Sequence, residues 1–258
     1  MSDRPRRVFG KTYIFCKPAF DAFKRDGPFA PPYYDYEELE GKYKGQDVFI
    51  IAPGSSLNDI DPSLFDNKLT IAANSAGFWM DAKYWCFCEG AYATWIGSRT
   101  AKGLFSEDHD EKLKSQTFLT SARAARLLRL HEMPIRKLFI TRHEETRTVK
   151  RGIKMPAITM LNAIASAWWF GCKRAIIFGM DLSKHEGPYV KGVPYTRKGA
   201  KNGYVRQKDV LNKLDLPGLE IHNVNPHSND MGLKFKPMEK HVGLEALKKS
   251  QDMEEVLS

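Results

Sequence analysis

Cysteine is scarce, with four in 258 residues (Cys16, Cys86, Cys88 and Cys172). That excludes a small disulfide scaffold. Cys86 and Cys88 stand two apart in a predicted strand and therefore face the same way. One Cys-x-Cys pair lacks the ligand number of a zinc site, so buried, reduced thiols are expected. Long apolar runs are also missing. The longest candidate, residues 163–170, falls well short of the roughly 20 residues that a membrane-spanning helix needs. The opening "MSDRPRRVFGKTYIF" has early positive charge but neither an apolar core nor a small-residue cleavage site. No secretory signal is expected from it, and the expected compartment is the cytoplasm. The sequence has no internal repeat, no low-complexity tract, no Walker phosphate loop and no Gly-x-Gly-x-x-Gly dinucleotide fingerprint.

What is present points to a folded, basic protein. Hydrophobic residues make up 42% and aromatics 12%, too much for a disordered chain. The length suits one large α/β domain with appendages. The formal charge is +9, which fits an anionic partner such as a nucleotide, a nucleic acid or an acidic membrane surface.

Residues 1–44 are rich in aromatics, proline and charge without a sustained period, and read as an irregular N-terminal arm. From Asp47 the texture changes. Continuous apolar runs at 48–52, 69–73, 84–88 and 175–179, with weaker ones at 117–120, 137–141 and 219–224, predict strands, the stronger ones buried on both faces. Helical patterns lie between them. Residues 121–131 carry Ser121 as a possible N-cap, and residues 159–170 end at Gly171, a natural C′ residue. An amphipathic closing helix is predicted at 243–257. This alternation predicts an α/β fold: a Rossmann-like, three-layer domain with a mostly parallel sheet over residues 45–230, a basic loop at 182–206, and a C-terminal tail and helix at 231–258.

In such a sheet ligands bind outside the carboxyl ends of the strands, so the residues after each strand matter most. "VFIIAPGSSLNDID" leaves the first strand through Pro53-Gly54-Ser55-Ser56. A glycine lets backbone N–H groups approach an anion, and Ser55 and Ser56 add hydroxyls; a plain strand-to-helix corner is the competing account. Asn74 ends the second strand and can donate and accept, which suits reading a base or ribose, although turns also favour Asn. Asp59-Ile-Asp61 mimics a metal-binding Asp-x-Asp, but Asp61-Pro62-Ser63 reads more simply as a turn or cap. Residues 136–154 hold seven Lys/Arg against two Glu, a net of +5, and residues 184–213 hold eight against two acids, a net of +6. If the sheet is parallel, this charge gathers at one rim and attracts phosphates. His185, Tyr189 and Tyr195 lie in the longer loop and could move protons or stack on a base. His227 follows the last strand and could bond a phosphate.

"VFIIAPGSSLNDIDPSLF" with "LTIAANSAGF", then "ITMLNAIASAWWFGCKRAIIFGMDLS" and "LEIHNVNPHS", resemble the glycosyltransferase family 42 sialyltransferases. They equally resemble the related group of archaeal 6-hydroxymethyl-dihydropterin pyrophosphokinases and motility-associated flagellin glycosyltransferases. The resemblance covers residues 45–228 in three patches. It implies a modified Rossmann-like domain that binds an activated nucleotide. It further implies that Gly54, Ser55 and Ser56 hold phosphate, that Asn74 contacts sugar or base, that Thr159 adds a hydroxyl at a helix start, and that Asp181 shapes the site. Tyr189 and Tyr195 correspond by spacing to phosphate-touching tyrosines, with His185 a candidate base. Pro53 stands where the sialyltransferases usually carry Asn, and no histidine lies between His185 and His222.

Three functions follow as expectations. The first is a transferase moving a group from a nucleotide-sugar donor to an acceptor hydroxyl, on a glycan or a nucleic acid, with no tightly bound cofactor and no metal. The second is a (pyro)phosphoryl transferase using ATP with Mg²⁺, with Asp181 on the metal. The third is a nucleic-acid-binding or DNA-modifying protein, with tyrosines among the basic loops stacking on bases.

Overall fold

The structure, a computed structural model, describes residues 6–8, 11–13, 33–34, 36–121, 124–125, 127–128, 137–140, 158–181, 190–194, 208–224 and 232–250. In chain order come β1 (Arg6–Val8), β2 (Lys11–Tyr13), β3 (Tyr33–Tyr34) and β4 (Asp47–Ile51). Then follow β5 (Thr70–Ala73), α1 (Ala76–Trp79), β6 (Tyr84–Phe87), α2 (Gly90–Ala101) and α3 (Glu107–Ser115). After these come β7 (Thr117–Thr120), β8 (Lys137–Ile140), α4 (Thr159–Trp169), β9 (Arg174–Phe178), β10 (Glu220–Asn223), β11 (Lys236–Pro237) and α5 (Lys240–Lys249). The architecture is α/β and Rossmann-like, with a parallel sheet as its frame.

The chain divides into two compact units that interleave along the sequence: Met1–Glu38 with Phe87–Asn162, and Leu39–Cys86 with Ala163–Ser258. In the second unit the strands run in the order β11, β10, β9, β4, β5, β6, every pair parallel. The chain steps outward from β4 to β5 and β6, then returns to the other side of β4 with β9 and steps outward again through β10 and β11. The order therefore reverses between β4 and β9, which makes that junction the topological switch point.

Both strands of the junction are solidly apolar because both faces are covered. Residues 48–51 and 175–178 are all buried. One face carries Phe49, Ile51, Ile176, Phe178 and Val224, packed with Leu57, Ile60, Phe65, Met80 and Leu247. Phe65 meets Phe178 edge-on at 5.3 Å between centroids and Phe49 at 6.5 Å. At the amino end, Asp47 takes a bidentate pair from Arg174, whose register partner it is. That hydrogen bond to Asp47, with its charge, raises the Arg174 pKa.

Helix α4 starts at Thr159 and stops where expected. Gly171 adopts φ +77°, the left-handed conformation of a C′ residue, and a Cβ there would press within 3.2 Å of the Gly41 Cα. Helix α5 differs from expectation. It begins at Lys240, three residues before Gly243, and residues 251–258 lie outside the described residues. Gly243 is no helix start; it sits inside the helix because a Cβ would meet Val224 Cγ2 at 2.9 Å and Phe178 Cζ at 3.1 Å. A second difference lies in the N-terminal arm. Tyr33–Tyr34 pairs in parallel with β8 within the first unit, and β7 pairs in parallel with β8 there too. Tyr36–Leu39 forms a 3-10 turn, and Leu39 and Tyr43 are buried. Ser121 does act as a cap: its hydroxyl accepts from the Ala124 N–H at 3.2 Å. Cys86, Cys88 and Cys172 are buried free thiols, and burial pushes Cys172 up to about 12, helped by the Asp47 charge. No helix among the described residues is long and apolar enough to cross a membrane.

Phe65 is the hub of the aromatic layer under the junction. Phe65→Ala is expected to cost about 3–5 kcal/mol, seen as a lower urea midpoint with an unchanged slope. A loss below about 1 kcal/mol would show that the layer closes without that ring.

Candidate functional site

The site is built from the two segments that leave the switch point. Beyond Ile51 the pairing of β4 with β9 continues for three residues: the Ala52 N–H donates to Phe178 O at 2.8 Å and the Gly54 N–H to Gly179 O at 2.9 Å. The chain then tightens into a 3-10 turn over Ser55–Leu57. Gly54 is extended there (φ −74°, ψ 156°), so its glycine is not demanded by the dihedral. It is demanded by space, since a Cβ would run into Gly179 O and stand 2.6 Å from Asp181 Cγ. Gly179 on the facing strand needs both conformation and space. Its φ is +71°, and a Cβ would collide with Ala52 O.

The two glycines let the segments approach closely, and the approach brings Asp181 onto the serine turn. The Ser56 N–H donates to Asp181 Oδ2 at 2.9 Å, and the Ser56 hydroxyl donates to Oδ1 at 2.5 Å. The Ser55 hydroxyl reaches Oδ2 at a weaker 3.5 Å. The carboxylate caps a turn that lacks a side-chain cap of its own. The predicted anion cradle therefore holds an anion that the protein itself provides. The two donors of Ser56, expected to face a donor phosphate, are directed at Asp181.

The other strand ends fall into place around this cluster. The Val190 N–H donates to Pro53 O at 2.9 Å and the Lys191 N–H to Asn58 Oδ1 at 2.8 Å. Val190 and Lys191 are thus fastened to the segment that follows β4. Asn74 follows β5, level with Pro53 by the pairing of Ala72 with Ile51. It takes φ +50°, donates its N–H to Cys86 O, and accepts at its carbonyl from Trp85 Nε1 at 2.5 Å. Asn is among the few residues that tolerate that conformation.

Thr159 belongs to the first unit. It is buried at the start of α4, and its hydroxyl accepts from the Cys88 N–H at 3.4 Å. Nearby in that unit, Thr120 and Ser121 hydroxyls donate to Phe87 O and Cys88 O at 2.5 and 2.9 Å. These hydroxyls tie strand ends together. His185, Tyr189, Tyr195 and His227 lie outside the described residues, as do most of the two basic loops. Asp61 is the cap that its neighbours suggested: it accepts from the Ser63 N–H at 3.0 Å, which holds its carboxyl below the usual range. Among the described residues no group of three or more His, Cys, Asp or Glu is gathered as a metal cluster would be. A depression of about 380 Å³ lined by Glu40, Lys44, Trp168, Trp169 and Pro217 lies at the amino ends of the strands, away from this cluster.

Compared with family models, with curated proteins and with solved structures, the chain gives no match in any of the three.

Sequence reasoning named Asp181 and the serine turn but not the hydrogen bonds that join them. The signal was a Gly-x-Asp leaving one buried strand and a Gly-Ser-Ser leaving another. The prediction is that Gly54→Ala forces the segments apart. It should cost about 1–3 kcal/mol, the scale of a broken buried hydrogen-bond pair. Ser56→Ala, which removes only one donor, should cost less. Equal midpoints for Gly54→Ala and the parent in chemical unfolding would contradict the close approach.

Proposed function

We propose that the chain is a transferase that takes a group from a nucleotide-activated donor bound at the switch point and passes it to an acceptor hydroxyl. The observation that supports this best is the convergence of Ser55, Ser56 and Asp181 at the β4/β9 switch point, where open α/β sheets bind ligands. The fastening of Val190 and Lys191 to the same corner adds to it, since that segment carries positive charge. Asp181 is oriented by two donors from one residue, so its carboxylate is held in a fixed place. An oriented carboxylate can take the proton of an acceptor hydroxyl as the new bond forms, which is general base catalysis. Positive charge from the basic loops would then offset the departing phosphate.

A second reading is favoured by one feature. The carboxylate stands where the resemblance places phosphate, and a carboxylate and a phosphate share a site most easily through a divalent cation. Mg²⁺ is commonly held by one or two carboxylates plus substrate phosphates, so Asp181 fits a (pyro)phosphoryl transferase that uses ATP. The two readings part on the metal. A thermal-shift gain with ATP that requires Mg²⁺ supports the second, whereas a gain with a nucleotide sugar in the presence of a chelator supports the first.

For the first reading, a screen of cytidine, uridine and guanosine sugars should give binding and turnover with at least one. Asp181→Asn should lower that turnover by about 10²-fold or more, the usual worth of a general base. Its unfolding midpoint should change little, because the amide still accepts from the Ser56 N–H. A screen without binding or turnover would defeat the proposal.

A further inference from the structure

Because the donors of Ser56 are taken by Asp181, a nucleotide phosphate at the switch point needs another partner. The same turn carries one. Between Pro53 and Asn58 it is hydrogen-bonded to two places in the chain beyond β9. Gly179 and Asp181 form the first. Val190 and Lys191 form the second: the Val190 N–H donates to Pro53 O at 2.9 Å and the Lys191 N–H to Asn58 Oδ1 at 2.8 Å. The two places lie on opposite edges of the segment. Ala52 and Gly54 aim their N–H groups at β9 and its extension, so the Pro53 carbonyl between them faces away from β9. Successive residues of an extended chain direct their backbone groups to alternate sides. A carboxylate therefore stands on one edge of the serine turn and a lysine on the other.

Lys191 is held more firmly than a surface lysine requires. Val190 before it is buried in the core with Phe49, Ile51 and Leu57, and Val193 after it rests against the same cluster. Between them Gly192 takes φ +87° with open space where a Cβ would stand, so this glycine serves the shape of the turn and not its packing. Asn58 is fixed in its turn, its N–H donating to Ser55 O at 3.0 Å. The two valines account for packing. The bond from Asn58 is additional, and it acts on the backbone of the lysine between them. The Lys191 side chain is exposed, and among the described residues it makes no ion pair.

We propose that Lys191 is the phosphate-binding cation of this site and Asn58 the residue that positions it, an inference that rests on the transferase reading of the switch point. An ammonium is a compact point charge on a flexible four-carbon stem, suited to an anion that arrives beside its backbone. Standing across the turn from Asp181, Lys191 leaves the carboxylate to the acceptor hydroxyl and offsets the charge of the departing phosphate. Asn58 keeps the lysine at that edge by holding its N–H.

The experiment uses the full chain, titrated with CMP, UDP, GDP and ADP in the presence of Mg²⁺. Lys191→Ala should bind the preferred nucleotide about tenfold more weakly or worse, the scale of one charge-assisted hydrogen bond. Lys191→Arg, which keeps the charge, should stay within about threefold of the parent, and so should Lys248→Ala, which removes an equal charge from α5. Asn58→Ala should weaken binding about threefold or more in the parent. It should change nothing further in Lys191→Ala, since a residue that acts through the lysine has no effect once the ammonium is gone. Parent-like affinity in Lys191→Ala overturns this inference and leaves the transferase reading standing. An equal loss in Lys248→Ala also overturns it, reducing the effect to net charge. A further loss in the double variant overturns the part given to Asn58. A parent protein that binds none of the four nucleotides overturns both readings.

Discussion

The pairing of β4 with β9 is the interaction on which the rest depends. It joins residues about half a chain apart, closes the sheet at its centre, and reverses the strand order there. Asp47 and Arg174, 127 positions apart, clamp it at the amino end, and the Gly54–Gly179 bond extends it at the carboxyl end. Everything proposed for function sits just past that extension. If the two strands did not run this close for this long, Asp181 could not reach the serine turn, and the edge would hold separate polar loops instead of one cluster.

The carboxylate on the serine turn changes what the turn can be. Two serines and a glycine after a buried strand suggest a place for a phosphate, because such a turn leaves N–H and O–H donors pointing outward. In this chain the donors of Ser56 point at Asp181. A donor phosphate brought to the same atoms would have to displace a negative group or share the site through a cation. The arrangement orients the carboxylate through both of its oxygens. Orientation is what a base or a metal ligand needs, and the two proposed chemistries differ in which of these Asp181 becomes.

The frame was legible in the sequence because its physics is local. Strands covered on both faces must be continuously apolar, so residues 48–51, 84–87 and 175–178 announced themselves, as did Gly171 at the end of α4. Other elements were not legible by hydrophobic period. Helix α3 is polar almost all round; its signals were instead a capping Ser106, acids in its first turn and lysines in its last. Tyr33–Tyr34 and Lys236–Pro237 are strands only because a neighbour is there to pair with, and two residues carry no period. The site was half legible. Its members could be named from the strand ends, but whether Ser56 would face a ligand or Asp181 depends on how closely two distant segments approach, and no window of sequence holds that distance.

The glycines make the distinction concrete. Gly171 and Gly179 take left-handed dihedrals, the property that sequence reading attributes to glycine first. Gly54 and Gly243 do not; they are glycines because something large or polar lies where a Cβ would be. For Gly243 the neighbours are Val224 and Phe178, and the helix rests directly on the strands. For Gly54 the neighbours are a carbonyl and the Asp181 carboxylate. A glycine that packs a helix onto a sheet serves stability alone. A glycine that clears space for a carboxylate gives up side-chain packing and chain rigidity, and what it gains is the Asp181 carboxylate set against the donors of the serine turn.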